Sequence, residues 1–285
     1  MNRVVFMNDF DFLGLDDFLL AALREDIGTG DVTTNCCIPA DAVSAGAFRA
    51  KEPGVVCGLG VAARVFELLD GEVRVACKVK DGDHVCAGDV IAGITGPSRS
   101  ILTGERTALN LLQHISGVAT RTAEAVEAVR GTKARIVDTR KTTPGLRVLD
   151  KYAVRCGGGS NHRFNLSDGA LIKDNHITAA GGIANAVALV RGNCPHTLKI
   201  EVEAETIEQV AEALEAGADI IMLDNMAPEA MAEAVGLVAG RALTEASGNM
   251  GERNLRPVAE TGVDFISIGA LTHSVKALDI SLKFD

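Results

Sequence analysis

The sequence predicts an α/β protein in which a small α/β region precedes a (β/α) barrel. Up to about residue 102, short β-like segments are separated by Gly, Asp and Pro, whereas after residue 134 continuous apolar runs alternate with helical segments. Apolar strands that alternate with helices are typical of a parallel sheet covered by helices. No G-x-G-x-x-G follows a first strand, which disfavours an open dinucleotide-binding sheet.

The N-terminal region begins with a predicted helix over residues 11–26, where apolar residues recur with a period near 3.6. Short β-like segments then run from residue 43 to 102 around one helical insert, LGVAARVFELL. A long helical stretch follows over residues 102–131, and Thr103 is its candidate N-cap.

Six apolar runs between residues 134 and 269 predict the barrel strands. Their ends lie 33, 30, 21, 23 and 22 residues apart, and each step fits one βα unit. Six units in series favour closure into a barrel, in which the carboxyl ends of the strands converge on one mouth. The residues at these ends are Arg140, Lys173, Glu203, Asp224, Ser247 and Gly269.

The charge distribution points to a small anionic ligand. The formal net charge is −10 at pH 7, yet residues 133–173 contain nine Lys or Arg and three Asp, a local balance of +6. These cations are scattered singly, whereas nucleic-acid binding relies on many Lys and Arg that neutralise phosphates. We therefore expect the basic segment to form one wall of the barrel mouth.

The sequence also predicts a cytoplasmic protein. It shows neither a signal-peptide nor a transit-peptide pattern, and no apolar run is long enough for a membrane helix. Its seven cysteines are an odd number without a C-x-x-C, which suits neither a disulfide framework nor a zinc site. We expect them to be reduced thiols.

The cations of the predicted mouth suit a ligand that carries both carboxylate and phosphate groups. Arg140 and Lys141 are adjacent at a strand end and would point apart, while Arg163 and Lys173 lie on later segments. Arginine matches the planar carboxylate, and lysine acts as a point charge suited to phosphate. His162 lies beside this cluster and could donate to a carboxylate or a pyridine ring.

Two carboxylates, Glu203 and Asp224, end successive strands, where they could bind Mg²⁺ or sugar hydroxyls. The alternative is that they pair with neighbouring cations and only balance charge. The last two strands end in small residues, and N–H groups at the start of the following helices would form a phosphate site. These residues are Ser247, Gly248 and Asn249, then Ile268, Gly269 and Ala270.

Several tracts together resemble one known family. They are GERTALNLLQHISGVATRT, GTKARIVDTRKTTPGLRVLDKYAVRCGGGSNHR, ALIKDNHI, IEVEAET, AGADIIMLDNM, EASGN and AETGVDFISIGALTHSVKALDISLKF. In these tracts the chain resembles the bacterial quinolinate phosphoribosyltransferases, also called nicotinate-nucleotide pyrophosphorylases (carboxylating). The resemblance runs from about residue 20 to the end, with no departure at a motif position.

The resemblance implies a reaction, a fold and an assembly. Quinolinate and phosphoribosyl pyrophosphate would react with Mg²⁺ to give nicotinate mononucleotide, pyrophosphate and CO₂, a step of NAD biosynthesis. The implied fold is an incomplete (β/α) barrel at residues 118–275, with an N-terminal α/β sandwich at residues 1–117 that residues 276–285 complete. The implied assembly is a homodimer in which the N-terminal region of one subunit caps the barrel mouth of the other.

The resemblance also implies roles for individual residues. The quinolinate carboxylates would be held by Arg106 of the neighbouring subunit with Arg140, His162, Arg163 and Lys173. The phosphoribosyl group, its Mg²⁺ and its 5′-phosphate would be held by Lys141, Glu203, Asp224, Ser247, Gly248, Asn249, Ile268, Gly269 and Ala270. Thr139 joins the substrate-binding set, and the catalytic set is Lys141, Glu203 and Asp224. The two carboxylates would contact Mg²⁺ directly or indirectly.

Two other functions stay open on the sequence alone. The first is a transferase for another pyridine acid such as nicotinate, which lacks the second carboxylate and would release no CO₂. The second is a non-catalytic anion-binding or scaffold protein that retains the barrel.

Overall fold

The computed structural model describes residues 14–285. The start of the predicted helix at residue 11 lies outside the described residues. The helices are α1 (Leu15–Ile27), α2 (Val32–Cys37), α3 (Leu59–Leu69), α4 (Ser98–Ala128), α5 (Arg147–Cys156), α6 (Asp174–Ala180), α7 (Ile183–Asn193), α8 (Ile207–Glu215), α9 (Pro228–Val238), α10 (Leu255–Glu260) and α11 (Ala270–His273). The strands are β1 (Val43–Ala50), β2 (Gly54–Val55), β3 (Arg74–Cys77), β4 (His84–Val85), β5 (Val90–Pro97), β6 (Arg135–Val137), β7 (Ala170–Ile172), β8 (Ile200–Ala204), β9 (Ile220–Asp224), β10 (Leu243–Ser247), β11 (Phe265–Ser267) and β12 (Ile280–Phe284).

The chain forms two compact units. The first contains the described residues up to Thr120, with Val148–Gly157 and Val275–Asp285, and the second contains Arg121–Arg147 and Gly158–Ser274. No helix among the described residues is long and apolar enough to cross a membrane.

The first unit is built on an antiparallel four-stranded sheet with the order β12-β1-β5-β3. Strand β12, from the carboxyl end of the chain, pairs along β1 and forms one edge of this sheet. Phe48 of β1 and Phe66 of α3 are both buried and meet edge to face, with ring centroids 6.3 Å apart. This contact joins the sheet to the helix, and the predicted helical insert coincides with α3.

The long helix α4 begins earlier than the sequence predicts, so the predicted N-cap at Thr103 is wrong. The helix starts at Ser98, directly after β5. Ile101 is fully buried, so the packed face of the helix includes its first turn, which lies before the predicted start at residue 102. Thr103 lies inside the helix, where its hydroxyl donates to Asp31 Oδ2 at 3.2 Å.

Helix α5 groups with the first unit, although the predicted barrel boundaries of 118 and 275 enclose it. His114 Nε2 lies 2.7 Å from Asp150 Oδ1, and the Tyr152 hydroxyl donates to Asp81 Oδ2 at 2.8 Å. Leu149 is buried on the same helix. The predicted range includes α5 only because α5 lies between two barrel strands in the sequence. Its long-range contacts decide where it packs.

The second unit is an incomplete (β/α) barrel, as the resemblance implies. Its six strands are parallel in the order β6-β11-β10-β9-β8-β7, and each predicted apolar run overlaps one of them. Strands β6 and β7 are the two edges, and no ladder joins them within residues 14–285. A single parallel bridge from Val137 to Ser160 lies along the free edge of β6.

Alternation along these strands directs polar side chains to one face. In β8, Ile200, Val202 and Ala204 are buried apolar residues, and Glu201 and Glu203 project from the opposite face. The same alternation in β10 places Glu245 and Ser247 on one face. Polar side chains therefore occur at two depths along each of these strands, Glu201 and Glu245 at the inner depth and Glu203 and Ser247 at the outer depth.

Candidate active site

One cavity of about 540 Å³ lies among the carboxyl ends of the strands in the second unit, a size typical of small-molecule sites. It brings together most of the residues predicted from sequence. Those in its lining are Thr139, Arg140, Lys141, His162, Arg163, Lys173, Glu203, Asp224, Ser247, Gly248, Asn249, Gly269 and Ala270.

Two predicted residues do not line this cavity. Ile268 is 2% exposed, because strand alternation turns Ser267 and Gly269 toward the cavity and Ile268 away from it. Its backbone N–H donates to the Val137 carbonyl at 3.0 Å. Arg106 is exposed on α4 in the first unit, so its assignment to a neighbouring subunit's site stays a prediction.

Arg140 and Arg163 form the arginine pair of the cavity wall. Burial lowers the pKa of the Arg163 guanidinium below its ordinary value, and the nearby charge of Arg140 adds to this effect. Arg163 Nη1 donates to the Gly169 carbonyl at 2.9 Å, while Arg140 Nε is buried without a hydrogen-bond partner among the described residues. Two neighbouring, partly desolvated guanidiniums favour the binding of an anion between them.

Lys141 follows Arg140 and is exposed at the cavity. Its backbone is fixed on both sides, because its N–H donates to Thr139 Oγ1 at 3.0 Å and its carbonyl accepts from the Thr272 hydroxyl at 2.8 Å. A Cβ atom added at Gly269 would lie 3.0 Å from Lys141 Cδ, so the glycine leaves room for the lysine stem. The ammonium group is therefore directed by an ordered backbone.

The two carboxylates at the strand ends differ in their partners. Glu203 Oε2 lies 3.0 Å from Lys173 Nζ, with side-chain exposures of 15% for the glutamate and 45% for the lysine. Asp224 Oδ2 accepts from Asn225 Nδ2 at 2.6 Å. The alternative of charge pairing thus holds for Glu203 in this structure, whereas Asp224 is oriented by an amide.

The turns that follow β9 and β10 contain residues in the left-handed backbone region, two of them asparagines. Gly248 has a φ of 95°, and Asn225 and Asn249 have φ values of 55° and 52° in the left-handed region. A Cβ atom at position 248 would overlap the Asn225 side chain, so only glycine fits there. Backbone strain of this kind is concentrated at binding sites.

The helices after the last two strands differ from the prediction at one position. Helix α11 starts at Ala270, directly after Gly269. Helix α10 starts only at Leu255, with Asn254 as its N-cap, so the predicted helix start beside Ser247 is wrong. The strained turn at residues 248–249 separates β10 from its helix, and any phosphate contact there would come from loop N–H groups.

His162 and Glu245 line the cavity and belong to a buried cluster with Glu201, which does not line it. We call these three residues the floor; the sequence pattern did not predict that they meet. His162 Nε2 lies 3.0 Å from Glu201 Oε2 and 3.6 Å from Glu245 Oε2. The backbone N–H of Arg163 donates to His162 Nδ1 at 2.7 Å, so the ring hydrogen lies on Nε2 and faces the glutamates. In this arrangement His162 donates to a carboxylate of the protein rather than to a ligand.

The protonation of this floor is set by burial. Burial raises the pKa of Glu245 to about 8, and the neighbouring charge of Glu201 adds to the increase. The Oε1 atoms of both glutamates are buried without a hydrogen-bond partner among the described residues. Glu245 is therefore largely neutral at pH 7.

A sequence signal for these glutamates does exist. Glu201 and Glu245 each lie two residues before the residue chosen at a strand end, and period-2 alternation places such a pair on one face. Buried Asp138, also missed, accepts from Asn161 Nδ2 at 2.6 Å and from the His162 N–H at 2.8 Å. It fixes the segment that carries His162 to the end of β6.

Comparison with known proteins finds relatives that match nearly the whole chain. The family model described as "Quinolinate phosphoribosyl transferase, C-terminal domain" matches residues 118–283, and the corresponding N-terminal domain model matches residues 31–116. The chain is 44% identical over 282 residues to the nicotinate-nucleotide pyrophosphorylase (carboxylating) of Mycobacterium leprae, across 97% of this chain and 99% of that protein.

Two further relatives extend the similarity to plants and to solved structures. A chloroplastic nicotinate-nucleotide pyrophosphorylase (carboxylating) of Arabidopsis thaliana is 46% identical over 283 residues, across 93% of this chain and 81% of that protein. The structure of NadC from Streptococcus pyogenes matches with a TM-score of 0.90 and 47% identity, covering 95% of this chain and 97% of that one. The chain belongs to the quinolinate phosphoribosyltransferase family.

Proposed function

We propose that this protein transfers the phosphoribosyl group of phosphoribosyl pyrophosphate to quinolinate and releases CO₂. The products are nicotinate mononucleotide, pyrophosphate and CO₂, and the reaction belongs to NAD biosynthesis. The observation that carries the proposal is that cations and carboxylates from successive strand ends meet in one cavity, in a chain of this family.

Quinolinate would bind at the basic wall. Its two adjacent carboxylates match Arg140 and Arg163, whose guanidiniums are partly desolvated and close to each other, and Lys173 lies across the cavity. Each charge-assisted hydrogen bond contributes about 1.5–3 kcal/mol, so several of them suffice to hold a dianion against the acidic field of the whole chain. Binding would also relieve the repulsion between the two arginines.

The phosphoribosyl donor would occupy the opposite side of the same cavity. Backbone N–H groups of residues 248–249 and 269–270 suit the 5′-phosphate, and these positions are small enough for close approach. Lys141, held by Thr139 and Thr272, would offset the charge of the departing pyrophosphate.

Glu203 and Asp224 are the residues that would hold Mg²⁺. Magnesium in such sites is usually bound through one or two carboxylates, several waters and substrate phosphates. These two side chains supply oxygen donors at adjacent strand ends in the cavity, which fits that pattern. The metal, when bound, would neutralise charge on the pyrophosphate. The same carboxylates face the developing positive charge of the ribose ring and stabilise it.

The chemical steps follow from this arrangement. The pyridine nitrogen forms a bond to the ribose C1 while the bond from C1 to pyrophosphate breaks and its electron pair leaves with pyrophosphate. The bond from ring carbon 2 to its carboxylate then breaks, CO₂ departs, and the electron pair stays on carbon 2 until a proton joins it. The positive ring nitrogen stabilises that electron pair, so the contribution of the chain is mainly to hold the two substrates in position.

Incubation with both substrates, with and without Mg²⁺, tests the proposal. We expect equal amounts of nicotinate mononucleotide, pyrophosphate and CO₂ from quinolinate, and little turnover without the metal. Turnover of nicotinate without CO₂ release would favour a transferase for another pyridine acid. Binding of both substrates without any pyrophosphate would favour a non-catalytic protein.

The proposal includes a homodimer with shared active sites in which Arg106 serves the neighbouring subunit. Its support is the exposure of Arg106 on α4 and the family resemblance of the surrounding tract. We expect Arg106→Ala to reduce transition-state stabilisation, as measured from kcat/KM for quinolinate, by about 2 kcal/mol or more, because one charged contact is lost. Arg130→Ala, which removes a 78% exposed arginine later in the chain, is the matched control.

Mixing subunits separates a shared site from a local effect. A dimer of one Arg106→Ala chain and one Lys141→Ala chain retains one complete site. A random 1:1 mixture should therefore recover roughly a quarter of wild-type activity. No recovery after confirmed subunit exchange would contradict the shared site.

The proposal places the protein in the cytoplasm. All seven cysteines are free thiols, which fits a reducing compartment. Fractionation of the source cells with an antibody to the chain checks the location.

A further inference from the structure

The first unit contains a second cluster of ionisable side chains, none of which lines the cavity described above. The sulfur atoms of Cys57 and Cys156 and a carboxylate oxygen of Asp81 lie within 4.8 Å of one another. The two cysteines have 98 residues between them in the sequence, so no metal-binding spacing motif predicts that they meet. We name Cys57, Asp81 and Cys156 the thiol cluster.

The spacing of these donors suits a metal ion better than a disulfide. Around a tetrahedral zinc with bonds of about 2.3 Å to sulfur and about 2.1 Å to oxygen, the donor atoms lie roughly 3.4–3.8 Å apart. The thiol cluster would have to contract by at most about 1.4 Å to reach that arrangement. A disulfide would have to bring two sulfurs to about 2.05 Å.

The carboxylate of the thiol cluster is held in place by two donors. Asp81 Oδ1 accepts from the Leu59 N–H at 3.1 Å, and Asp81 Oδ2 accepts from the Tyr152 hydroxyl at 2.8 Å. Each carboxylate oxygen keeps a further lone pair for a metal. Hydrogen bonds of this kind orient the carboxylates that bind metals in proteins.

The backbone around Cys57 is fixed as well. Its N–H donates to Ser116 Oγ at 2.9 Å, and its carbonyl accepts from the same hydroxyl at 3.0 Å. Cys57 is buried, whereas Asp81 and Cys156 are half-buried. Two of the three residues are therefore partly accessible to solvent, so a water molecule could serve as the fourth ligand of a cation.

Two helix ends lie at the thiol cluster, of which one favours a thiolate and the other favours a cation. Cys57 immediately precedes Gly58, the N-cap of α3, and the positive end of a helix dipole stabilises a thiolate. Cys156 is the last residue of α5, and the negative end of a helix dipole stabilises a cation. The charges of the two helix ends thus match a thiolate–metal pair.

We propose that the thiol cluster is a binding site for a thiophilic divalent cation such as Zn²⁺. Two thiols release two protons, and the cation takes up two thiolates and the Asp81 carboxylate, which leaves a net charge of −1 on the complex. Water completes the tetrahedral coordination.

Titration of the full-length, metal-stripped protein with Co²⁺ under anaerobic conditions tests the site. We expect thiolate-to-cobalt charge-transfer absorption that saturates at one equivalent and disappears when Zn²⁺ is added. Cys57→Ala and Cys156→Ala should each abolish it. Tyr152→Phe should weaken cobalt binding by about 10-fold, since it removes a partner of the ligating carboxylate.

The double variant Cys36→Ser, Cys37→Ser is the matched control, because it removes two adjacent exposed thiols that lie outside the thiol cluster. It should bind cobalt as the wild type does. Melting temperatures of the metal-free variants establish that each one folds, and Zn²⁺ should raise the melting temperature of the wild type but not of Cys57→Ala.

Three results would overturn the proposal. They are the absence of charge-transfer absorption in the wild type, its survival in folded Cys57→Ala, and its loss only in the Cys36, Cys37 double variant. Mass spectrometry that finds Cys57 linked to Cys156 in protein handled without oxygen would also reject a metal site.

Discussion

The rim of the cavity, which consists of Lys141, Lys173, Glu203 and Asp224, and its floor, which consists of His162, Glu201 and Glu245, carry similar charges in different settings. At the rim, Lys173 and Glu203 form an ion pair with exposures of 45% and 15%, and Lys141 is exposed. At the floor, Glu201 and Glu245 are 4% and 3% exposed, and each has an unpartnered oxygen among the described residues. Rim charges can therefore be redirected to a ligand at small desolvation cost, whereas floor charges are held by the fold.

Removal of the Asp224 carboxylate should reduce activity more than the other changes. This rim carboxylate has no cation partner within hydrogen-bond distance in the described structure. We expect Asp224→Ala to reduce kcat by about 10²–10³, since one preorganised electrostatic contact to a transition state contributes about 3–4 kcal/mol. Steady-state kinetics with both substrates measures this.

Glu229→Gln is the control for that change, because it removes an exposed carboxylate on the helix that follows the same strand. An unchanged kcat in folded Asp224→Ala would mean that the rim carboxylate takes no part in the reaction.

The next effect concerns the floor and depends on pH. The pKa of Glu245 is about 8 in the folded state and about 4.5 ordinarily, so only the unfolded chain loses this proton between those values. Stability contributed by neutral Glu245 is therefore lost as pH rises from about 4.5 to about 8. Glu245→Gln should remove this loss, so its stability relative to wild type should improve by about 2–4 kcal/mol between pH 5 and pH 8.

Urea unfolding of both proteins across that range measures the difference. Glu260→Gln, at an exposed site, should change stability equally at both pH values. A Glu245→Gln curve parallel to the wild type would show that Glu245 is ionised in the folded protein.

The smallest effect is expected at the rim cation. Lys173→Met should raise KM for quinolinate about 10-fold, the loss of one charge-assisted hydrogen bond of about 1.5 kcal/mol. Stability should change little, because exposed ion pairs contribute about 0–1 kcal/mol. Lys199→Met is the matched control, since Lys199 is exposed at the opposite end of the sheet, just before β8. Equal KM values for the two variants would show that Lys173 does not bind quinolinate.

The contrast between rim and floor also explains what the sequence could predict. Strand ends were visible because an apolar run stops at a polar residue, as it does at Asp224 and Ser247. Glu201 and Glu245 interrupt such runs, and their contact with His162 depends on strands that are 44 residues apart in sequence. Sequence patterns report which face a residue occupies, but not which distant residues meet there.

Two features of the fold that the sequence pattern does not predict have the same origin. The start of α4 is fixed by the burial of Ile101, and the position of α5 by contacts of Asp150 and Tyr152 with distant residues. The thiol cluster is a third case, because its cysteines meet only through the fold. Local propensity and period carry none of this information, since long-range packing decides it.

A crystal structure of the protein with quinolinate bound is the decisive experiment for the proposed site. We expect the pyridine to lie in the cavity of the second unit, with its carboxylates against Arg140 and Arg163 and its nitrogen toward Glu203 and Asp224. Quinolinate bound at any other place on the chain, with this cavity empty at saturating concentration, would contradict it.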